Sequence, residues 1–327
     1  MAQGKESRKY DIVVIGATGY TGALTSEYIA LNLPSNLKWA IAGRSKPKLH
    51  GLAAKLSSKR PERSQPGRET LRFCDLGSRS ITTRQKLLAS PVNVSGGTLE
   101  SAIHSSSRDP DVLKEISRPW VLSSVEGRET STATNVFGLR HDRDIGLLSA
   151  SSATAATNRL VVHRTWGLLR NTDKDYGPNF QYNEYDRATS TLSGISRALS
   201  TRTLFWLLSF AHVRNIASRF LPNPGEGPDV ERTRNSRIAV EGVAVPDVRQ
   251  GERAPRALAT FSYPSGTYHA TALFLAQGAA SLLYARKLEG GYSGGCLTPA
   301  ILGDDFVQRI RSAGAVLRTE LLPASTA

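Results

Sequence analysis

The sequence predicts an α/β fold at the start of the chain, followed by a longer region of mixed α+β structure. Two short apolar runs, at residues 10–15 and 37–42, are typical of buried strands, and a glycine-rich turn with a helical stretch lies between them. Strand, turn, helix and strand in this order make a βαβ unit. With 327 residues, the chain is long enough for about two domains of ~150 residues.

The elements of the first unit follow from residue type and from the residues that break them. Tyr10–Ile15 is the first predicted strand, and Ala23–Leu33 is the first predicted helix, which ends before a proline. Leu37–Ala42 is the second strand. A basic helix at 46–60 then leads to a third predicted strand at Leu71–Cys74.

The turn after the first strand has three glycines spaced as GxxGxxG, namely Gly16, Gly19 and Gly22. The first allows a tight turn, the second lets the backbone approach a pyrophosphate, and the third lets helix and strand pack closely. The free N–H groups of the helix N-terminus then face the phosphates, with Thr18, Tyr20 and Thr21 lining the turn. A purely structural glycine turn is the alternative.

The end of the second strand indicates which dinucleotide would be bound. A site for NAD usually has an acidic residue there for the ribose hydroxyl, whereas an arginine accommodates the 2′-phosphate of NADP. This chain has Arg44 and Ser45, followed by Lys46, which together favour NADP. An exposed loop arginine is the alternative for Arg44.

These patterns predict a partial Rossmann-like dinucleotide-binding domain at 1–93 and an α+β domain at 94–327. The second domain is predicted to contain strands at Ser236–Val245, Arg256–Tyr263 and Thr267–Ala272. Leu273–Arg286 is predicted as a helix. A last helix is predicted to begin at Thr298 as N-cap and to end at Gly314.

Motifs along most of the chain occur in the order of a known family. At the N-terminus these are YDIVVIGATGYTG, LKWAIAGRS and the DL at Asp75–Leu76. By these motifs the chain resembles the saccharopine dehydrogenase-like oxidoreductases, in the branch that includes trans-acting enoyl reductases. A second block continues the family's order through SGGTLES (95–101), PWVLSSVEG (119–127), FGLRHDRDIG (137–146), HRTWGLL (163–169), YGPNFQYNEY (176–185), LPNPGEGP (221–228) and GGCLTPAILGDDFVQRIRSAG (294–314).

This resemblance implies an NADP-dependent oxidoreductase that transfers hydride to a C=C or C=O group of a lipid-like or polyketide-like substrate. One departure matters: after Asp75–Leu76 the chain runs almost directly into residues 95–101, so the family's fourth strand and the elements after it are absent. The retained half is expected to bind adenosine and pyrophosphate, and the absent half would hold the nicotinamide. No catalytic residue is therefore assigned. A non-catalytic interaction protein and an incomplete gene model are the alternatives.

Leu204–Leu221 is strongly apolar at first and contains His212, Arg214 and Arg219 later. Such a segment is typical of a helix lying at a membrane interface, and the resemblance implies a membrane or lipid-droplet surface. A core helix or the interface of a homodimer is the alternative. The polar N-terminus lacks a secretory signal, which predicts a cytoplasmic protein.

The charge is unevenly distributed. The chain has 42 Lys+Arg against 28 Asp+Glu, a net charge of +14, and residues 1–93 alone contribute +10. A basic surface suits phosphate-bearing ligands or an anionic membrane, whereas no aromatic RNA-binding motif supports a nucleic-acid partner. The histidines and two cysteines show no metal-ligand spacing, so no metal is expected, and His163 is interpreted as a packed core residue.

Overall fold

The structure is a computed structural model that describes residues 9–58, 78–87, 109–127, 134–217, 219, 222–223, 225–246, 253–285 and 288–326. Its strands are β1 (Ile12–Ile15), β2 (Trp39–Ala42), β3 (Ser78–Leu87), β4 (Leu139–Asp142), β5 (Gly146–Ser149), β6 (Tyr182–Arg187), β7 (Ile238–Pro246), β8 (Arg253–Tyr263) and β9 (Val316–Thr326). Its α-helices are α1 (Tyr20–Asn32), α2 (Lys46–Ser57), α3 (Pro110–Ile116), α4 (Ala155–Leu169), α5 (Thr191–Leu208), α6 (Ala211–Ala217), α7 (Val230–Arg234), α8 (Thr267–Tyr284) and α9 (Gly303–Ser312).

The chain has a mixed α/β fold, and its described strands form two sheets. The small sheet consists of β1 and β2, which are parallel, with Ile12 opposite Trp39 and Ile15 opposite Ala42. Helix α1 connects them, so the predicted strand, helix and strand are confirmed. The predicted third strand at Leu71–Cys74 lies outside the described residues.

The large sheet has seven strands in the order β4-β5-β6-β3-β7-β8-β9. All neighbours are antiparallel except β3 and β6, which are parallel. Strand β3 lies within residues 1–93, where the sequence analysis placed the first domain, yet it pairs with β6 and β7. The backbone of Ser78–Leu87 therefore finds its hydrogen-bonding partners in the second region.

Helix α8 packs against both sheets. One apolar cluster lies between β1, α1 and α8, and its buried members are Ile12, Ile29, Leu33, Leu37, Ala276 and Ala280. On another side, Leu273 of α8 packs with Ile310 of α9. Because these contacts bury alanines along α8, the βαβ unit lies close against the second region.

The C-terminal predictions are partly confirmed. Strands β7 and β8 match the predicted ones, but the predicted strand at Thr267–Ala272 is wrong, because these residues form the first turns of α8. Its threonines favour a strand locally, but the buried positions Ala270 and Leu273 continue a helical face through Ala276.

The predicted last helix is divided in two. Residues Pro299–Leu302 form a short 3₁₀ helix, and α9 begins at Gly303, whose φ is +62°. Thr298 precedes the short helix but makes no capping bond. Its hydroxyl lies 2.8 Å from that of Thr165 instead. Gly314, at φ +94°, follows the end of α9 as predicted.

Candidate functional site

The glycine-rich turn joins β1 to α1 with the geometry that its spacing predicts. Gly16 has a φ of +74°, which favours glycine. The N–H of Gly19 donates to the carbonyl of Gly16 at 2.9 Å, which closes the turn. A Cβ added to Gly19 would lie 3.2 Å from that same carbonyl oxygen. The turn is therefore both tight and bare of side chains at these positions.

Gly22 sets how closely α1 approaches the turn. A Cβ at this position would overlap the carbonyl oxygen of Gly16 and would lie 3.0 Å from the Cα of Ala17. Ala17 is completely buried, and its N–H donates to the carbonyl of Ala42 at the end of β2. Only glycine fits at this point without a shift of the backbone.

The N-terminus of α1 has features that suit an anion. Gly19 is the N-cap residue and supplies no side-chain cap, and the first turn of the 13-residue helix contains no acidic residue. Backbone N–H groups in a first helical turn have no intrahelical partner, and the helix dipole favours negative charge there. Tyr20, Thr21 and Gly22 occupy this turn.

The second predicted binding element lies beside the first. The side chain of Thr18 would be 3.3 Å from a Cβ on Gly43, so the turn after β1 touches the turn after β2. Arg44 follows and is exposed, and Ser45 is the N-cap of α2 without a side-chain cap bond. The structure thus brings the predicted residues of both turns together at one edge of the small sheet. Binding of a nucleotide by them stays a prediction.

Tyr20 differs from the other residues of the turn because its side chain is already engaged. Its hydroxyl donates to the carbonyl of Pro228 at 2.8 Å. Its ring meets that of Tyr268 edge-on, with 5.0 Å between the centroids. The glycine-rich turn is therefore attached to the segment around residues 225–228, which the sequence analysis had identified only as part of a family motif.

The opposite face of the small sheet is open. Val13 and Ile15 of β1 point away from α1, and their side chains are 48% and 85% exposed. Among the described residues, β1 pairs with β2 alone. A parallel sheet normally has helices on both faces and strands buried on both sides.

Strand β6 carries a group of buried carboxylates that the sequence analysis missed. Glu184 is buried and accepts hydrogen bonds from Ser152 at 2.7 Å, Thr154 at 2.8 Å, Asn158 at 2.7 Å and Tyr182 at 3.1 Å. These bonds attach the β5–α4 connection to β6. The sequence contained a signal for this group. In a strand, YNEYDR puts residues 182, 184 and 186 on one face.

Asp186 is the second carboxylate on this face. It accepts a hydrogen bond from Ser151 at 2.7 Å, and burial raises the pKa of its carboxyl group. Each of the two acids has a hydroxyl donor, so both carboxylates are held in fixed orientations. The group lies on the large sheet, and no hydrogen bond of the described residues connects it to the glycine-rich turn.

His163 is a packed core residue, as its context predicts. It is 0% exposed and stacks on Trp120 with 3.6 Å between ring centroids. Its Nδ1 lies 2.7 Å from the carbonyl oxygen of Pro119. Burial lowers the pKa of the imidazole to about 4, so it is neutral at pH 7 and donates through Nδ1.

Within the part of the chain that the structure describes, no three His, Cys, Asp or Glu residues cluster closely enough to hold a metal ion. Cys296 is exposed and free, and Cys74 lies outside the described residues. Among those same residues, no helix combines the length and apolar character needed to cross a membrane.

Known proteins similar to the chain include several enoyl reductases of mycobacteria. A Mycobacterium tuberculosis H37Rv protein, provisionally named a trans-acting enoyl reductase, is 29% identical over 251 residues. Proteins named trans-acting enoyl reductase from Mycobacterium bovis BCG and Mycobacterium ulcerans Agy99 are 26% and 23% identical over 245 and 239 residues.

These alignments cover 68–70% of this chain and 55–57% of the relatives, so the chain spans little more than half of their length. No family model matches the sequence, and no solved structure matches it. The resemblance read from the motifs is confirmed by the alignments: the chain is a distant relative of the trans-acting enoyl reductases.

Proposed function

We propose that the chain is an NADP-dependent oxidoreductase whose βαβ unit is the first half of a Rossmann-like domain. The observation that carries the proposal is the glycine-rich turn, in which Gly22 packs against Gly16 and leaves a bare, uncapped helix N-terminus. The residues therefore fit the pyrophosphate of a dinucleotide. The names of the relatives support a reductase that acts on a C=C bond.

The residues at the end of β2 support NADP over NAD. Arg44 is exposed and makes no ion pair with the described residues, so its guanidinium is available for a 2′-phosphate. Ser45 makes no side-chain capping bond at the N-terminus of α2, and Lys46 adds a positive charge. A phosphate beside these groups would receive charge-assisted hydrogen bonds.

The chain's own residues are proposed to bind and orient the adenosine half of the dinucleotide. When bound, NADPH supplies the hydride for reduction of a C=C or C=O group, and a lipid-like or polyketide-like compound is the proposed substrate class. The open face of β1 is where the nicotinamide half would need support. The alternative explanation for the exposure of this face is an incomplete gene model, in which further residues lie between positions 76 and 95.

The test is a fluorescence titration of the chain with NADPH and with NADH. Arg44→Ala is expected to weaken NADPH binding by about 10- to 100-fold, because a hydrogen bond to a charged group contributes ~1.5–3 kcal/mol. NADH binding should be nearly unchanged. Arg318→Ala, which removes an equally exposed arginine from β9, is the matched control. Absence of NADPH binding by the unmodified chain would eliminate the proposal.

A second proposed function is association with an anionic lipid surface through α5 and α6. The N-terminal half of α5 packs on the large sheet, where Gly194 contacts Leu139 and Ala188. Its C-terminal half extends beyond that contact and leaves apolar residues exposed. Trp206, for example, is 61% exposed. These exposed residues, which we call the apolar patch, are Leu204, Phe205, Trp206, Leu207, Phe210 and Ile216.

The charge around the apolar patch supports this second proposal. Residues 191–219 contain four arginines and no Asp or Glu. Arg214 donates to the carbonyls of Leu208 and Ser209 at 2.9 and 2.7 Å, which fixes the junction between α5 and α6. Apolar residues flanked by basic ones are typical of helices that lie at the surface of anionic membranes. An interface between two copies of the chain is the alternative for the same patch.

Co-sedimentation with vesicles of phosphatidylserine and phosphatidylcholine tests the lipid proposal. The unmodified chain should pellet with the vesicles, and Trp206→Ser should remain in the supernatant. Leu282→Ser is the matched control, since it removes an exposed apolar side chain from α8. Failure of the unmodified chain to pellet would contradict the proposal, and a dimer by light scattering that Trp206→Ser dissociates would favour the homodimer.

A further inference from the structure

Residues 225–228, a Gly-Glu-Gly-Pro segment that we call the wall segment, lie directly against the glycine-rich turn. A Cβ on Gly225, whose φ is +97°, would be 3.3 Å from the carbonyl oxygen of Thr18. A Cβ on Gly227 would be 2.5 Å from the ring of Tyr20. Two glycines of the wall segment therefore permit backbone contact with two residues of the turn.

The hydroxyl of Tyr20 ties the wall segment to the turn. It donates to the carbonyl of Pro228 at 2.8 Å. Burial raises the pKa of this phenol above its ordinary value of 10.0, so the hydroxyl carries its proton at neutral pH and can donate. The bond joins positions 208 residues apart in the chain, so it connects the two regions of the molecule.

The elements that follow the wall segment are also fixed to α1. Asp229 caps α7 by accepting a hydrogen bond from the N–H of Arg232 at 2.7 Å. Arg234, at the end of α7, makes an ion pair of 3.4 Å with Glu27 of α1. The wall segment is thus held at its C-terminal end by a short helix that itself contacts α1.

The wall segment carries one carboxylate, that of Glu226. Glu226 is exposed, and one of its oxygens accepts the N–H of Asn223 at 2.9 Å. This hydrogen bond lowers the pKa of Glu226, to which the positive charge of Lys48 in α2 also contributes. The wall segment therefore carries a negative charge within electrostatic reach of Lys48.

We infer that the wall segment is the outer wall of the nucleotide site and that Tyr20 is a positioning residue, which holds the glycine-rich turn against this wall through its hydroxyl. The inference rests on the proposed function and deepens it. Tyr20 acts through Pro228 rather than by contact with the dinucleotide. The turn offers its N–H groups in a fixed arrangement because the C-terminal region supports it from outside.

Tyr20→Phe tests the inference, because it removes the hydroxyl and keeps the ring. The NADPH Kd is expected to rise by about fivefold, the effect of one ordinary hydrogen bond. Tyr292→Phe is the matched control, since Tyr292 donates to the carbonyl of Leu168 at 2.9 Å in another part of the fold. Both variants lose a hydrogen bond from a tyrosine hydroxyl to a backbone carbonyl. If the Tyr20 hydroxyl is purely structural, both melting temperatures should change and the NADPH Kd of neither variant should change.

Hydrogen exchange gives a readout independent of activity. Amides of residues 16–22 should exchange faster in Tyr20→Phe than in the unmodified chain, and saturating NADPH should reduce that difference. Gly227→Ala, which places a methyl group against the Tyr20 ring, should also weaken NADPH binding.

Two results would overturn the inference, and they are distinguishable. If the unmodified chain binds NADPH and Tyr20→Phe has the same Kd as Tyr292→Phe, the wall segment does not support the turn and the proposed function stands. If the unmodified chain binds no NADPH, the proposed function fails, and the inference fails with it.

Discussion

His163 shows how one buried side chain can make stability depend on pH. Its neutral ring stacks on Trp120 and meets Phe180 edge-on, so burial disfavours the charged form. The pKa is about 4 in the folded chain against an ordinary value of 6.5. The unfolded state therefore binds the proton more readily between these two pH values, and stability falls as the pH decreases through this range.

The predicted size of this effect is about 3 kcal/mol, since each pKa unit corresponds to ~1.4 kcal/mol. Urea unfolding at pH 7.5 and at pH 4 measures the difference in the unfolding free energy. His163→Phe keeps an aromatic ring but cannot be protonated, so its loss of stability between these pH values should be smaller by that amount. Equal losses in both proteins would show that His163 does not control the acid sensitivity.

At the scale of single residues, sequence reasoning identified positions but not all of their partners. The roles of Gly16 and Gly22 could be predicted because their spacing reflects local backbone geometry. The bond from Tyr20 to Pro228 could not, because it joins residues distant in the chain. The buried Glu184 was also missed, since its four donors come from three different elements.

Helix α1 is the element on which the candidate site depends, and its approach to the turn is set by Gly22. Gly22→Ala should lower the unfolding free energy by several kcal/mol and abolish NADPH binding, because the added Cβ would overlap the backbone of Gly16. Gly51→Ala is the matched control. It lies in α2 with open space around its Cα and should stabilise the chain by up to about 1 kcal/mol.

Thermal unfolding of both variants with and without NADPH measures these effects. A Gly22→Ala variant as stable as the unmodified chain would contradict the close packing of α1 against the turn. The comparison is informative because both substitutions change a helical glycine to alanine and differ only in what the new methyl group meets.

At the scale of elements, the sequence predicted strongly periodic segments well and ambiguous ones poorly. Strands β1 and β2 were found as short apolar runs, and β7 and β8 were found by their alternation. The first turns of α8 were predicted as a strand, since Thr267 and Thr271 favour one. The helical continuation into Leu273 prevails in the structure because it buries a complete face against α1 and α9.

At the scale of the whole molecule, the two faces of β1 differ in burial. Ile12 is buried beneath α1, whereas Ile15 is exposed on the other face. Ile12→Ala should therefore lower the unfolding free energy by about 2–4 kcal/mol, and Ile15→Ala should change it by less than ~0.5 kcal/mol. Denaturant unfolding of both variants measures the contrast. Equal losses of unfolding free energy in the two variants would show that the face of β1 with Ile15 is covered in solution.

The placement of β3 shows that a strand from residues 1–93 belongs to the large sheet. Ser78–Leu87 follows the βαβ unit in sequence but pairs with β6 and β7. Its partners lie more than 90 residues further along the chain, so its local sequence does not identify them. The basic charge of residues 1–93 is only partly explained, since Arg44 and Lys46 account for a small share of it.

The central claim is that the βαβ unit binds the phosphates of NADPH. Calorimetric titration of the unmodified chain with NADPH tests it most directly. We predict a saturable heat that corresponds to one dinucleotide per chain and that weakens strongly in Arg44→Ala. A titration without saturable heat, on a chain shown by circular dichroism to be folded, would contradict the claim.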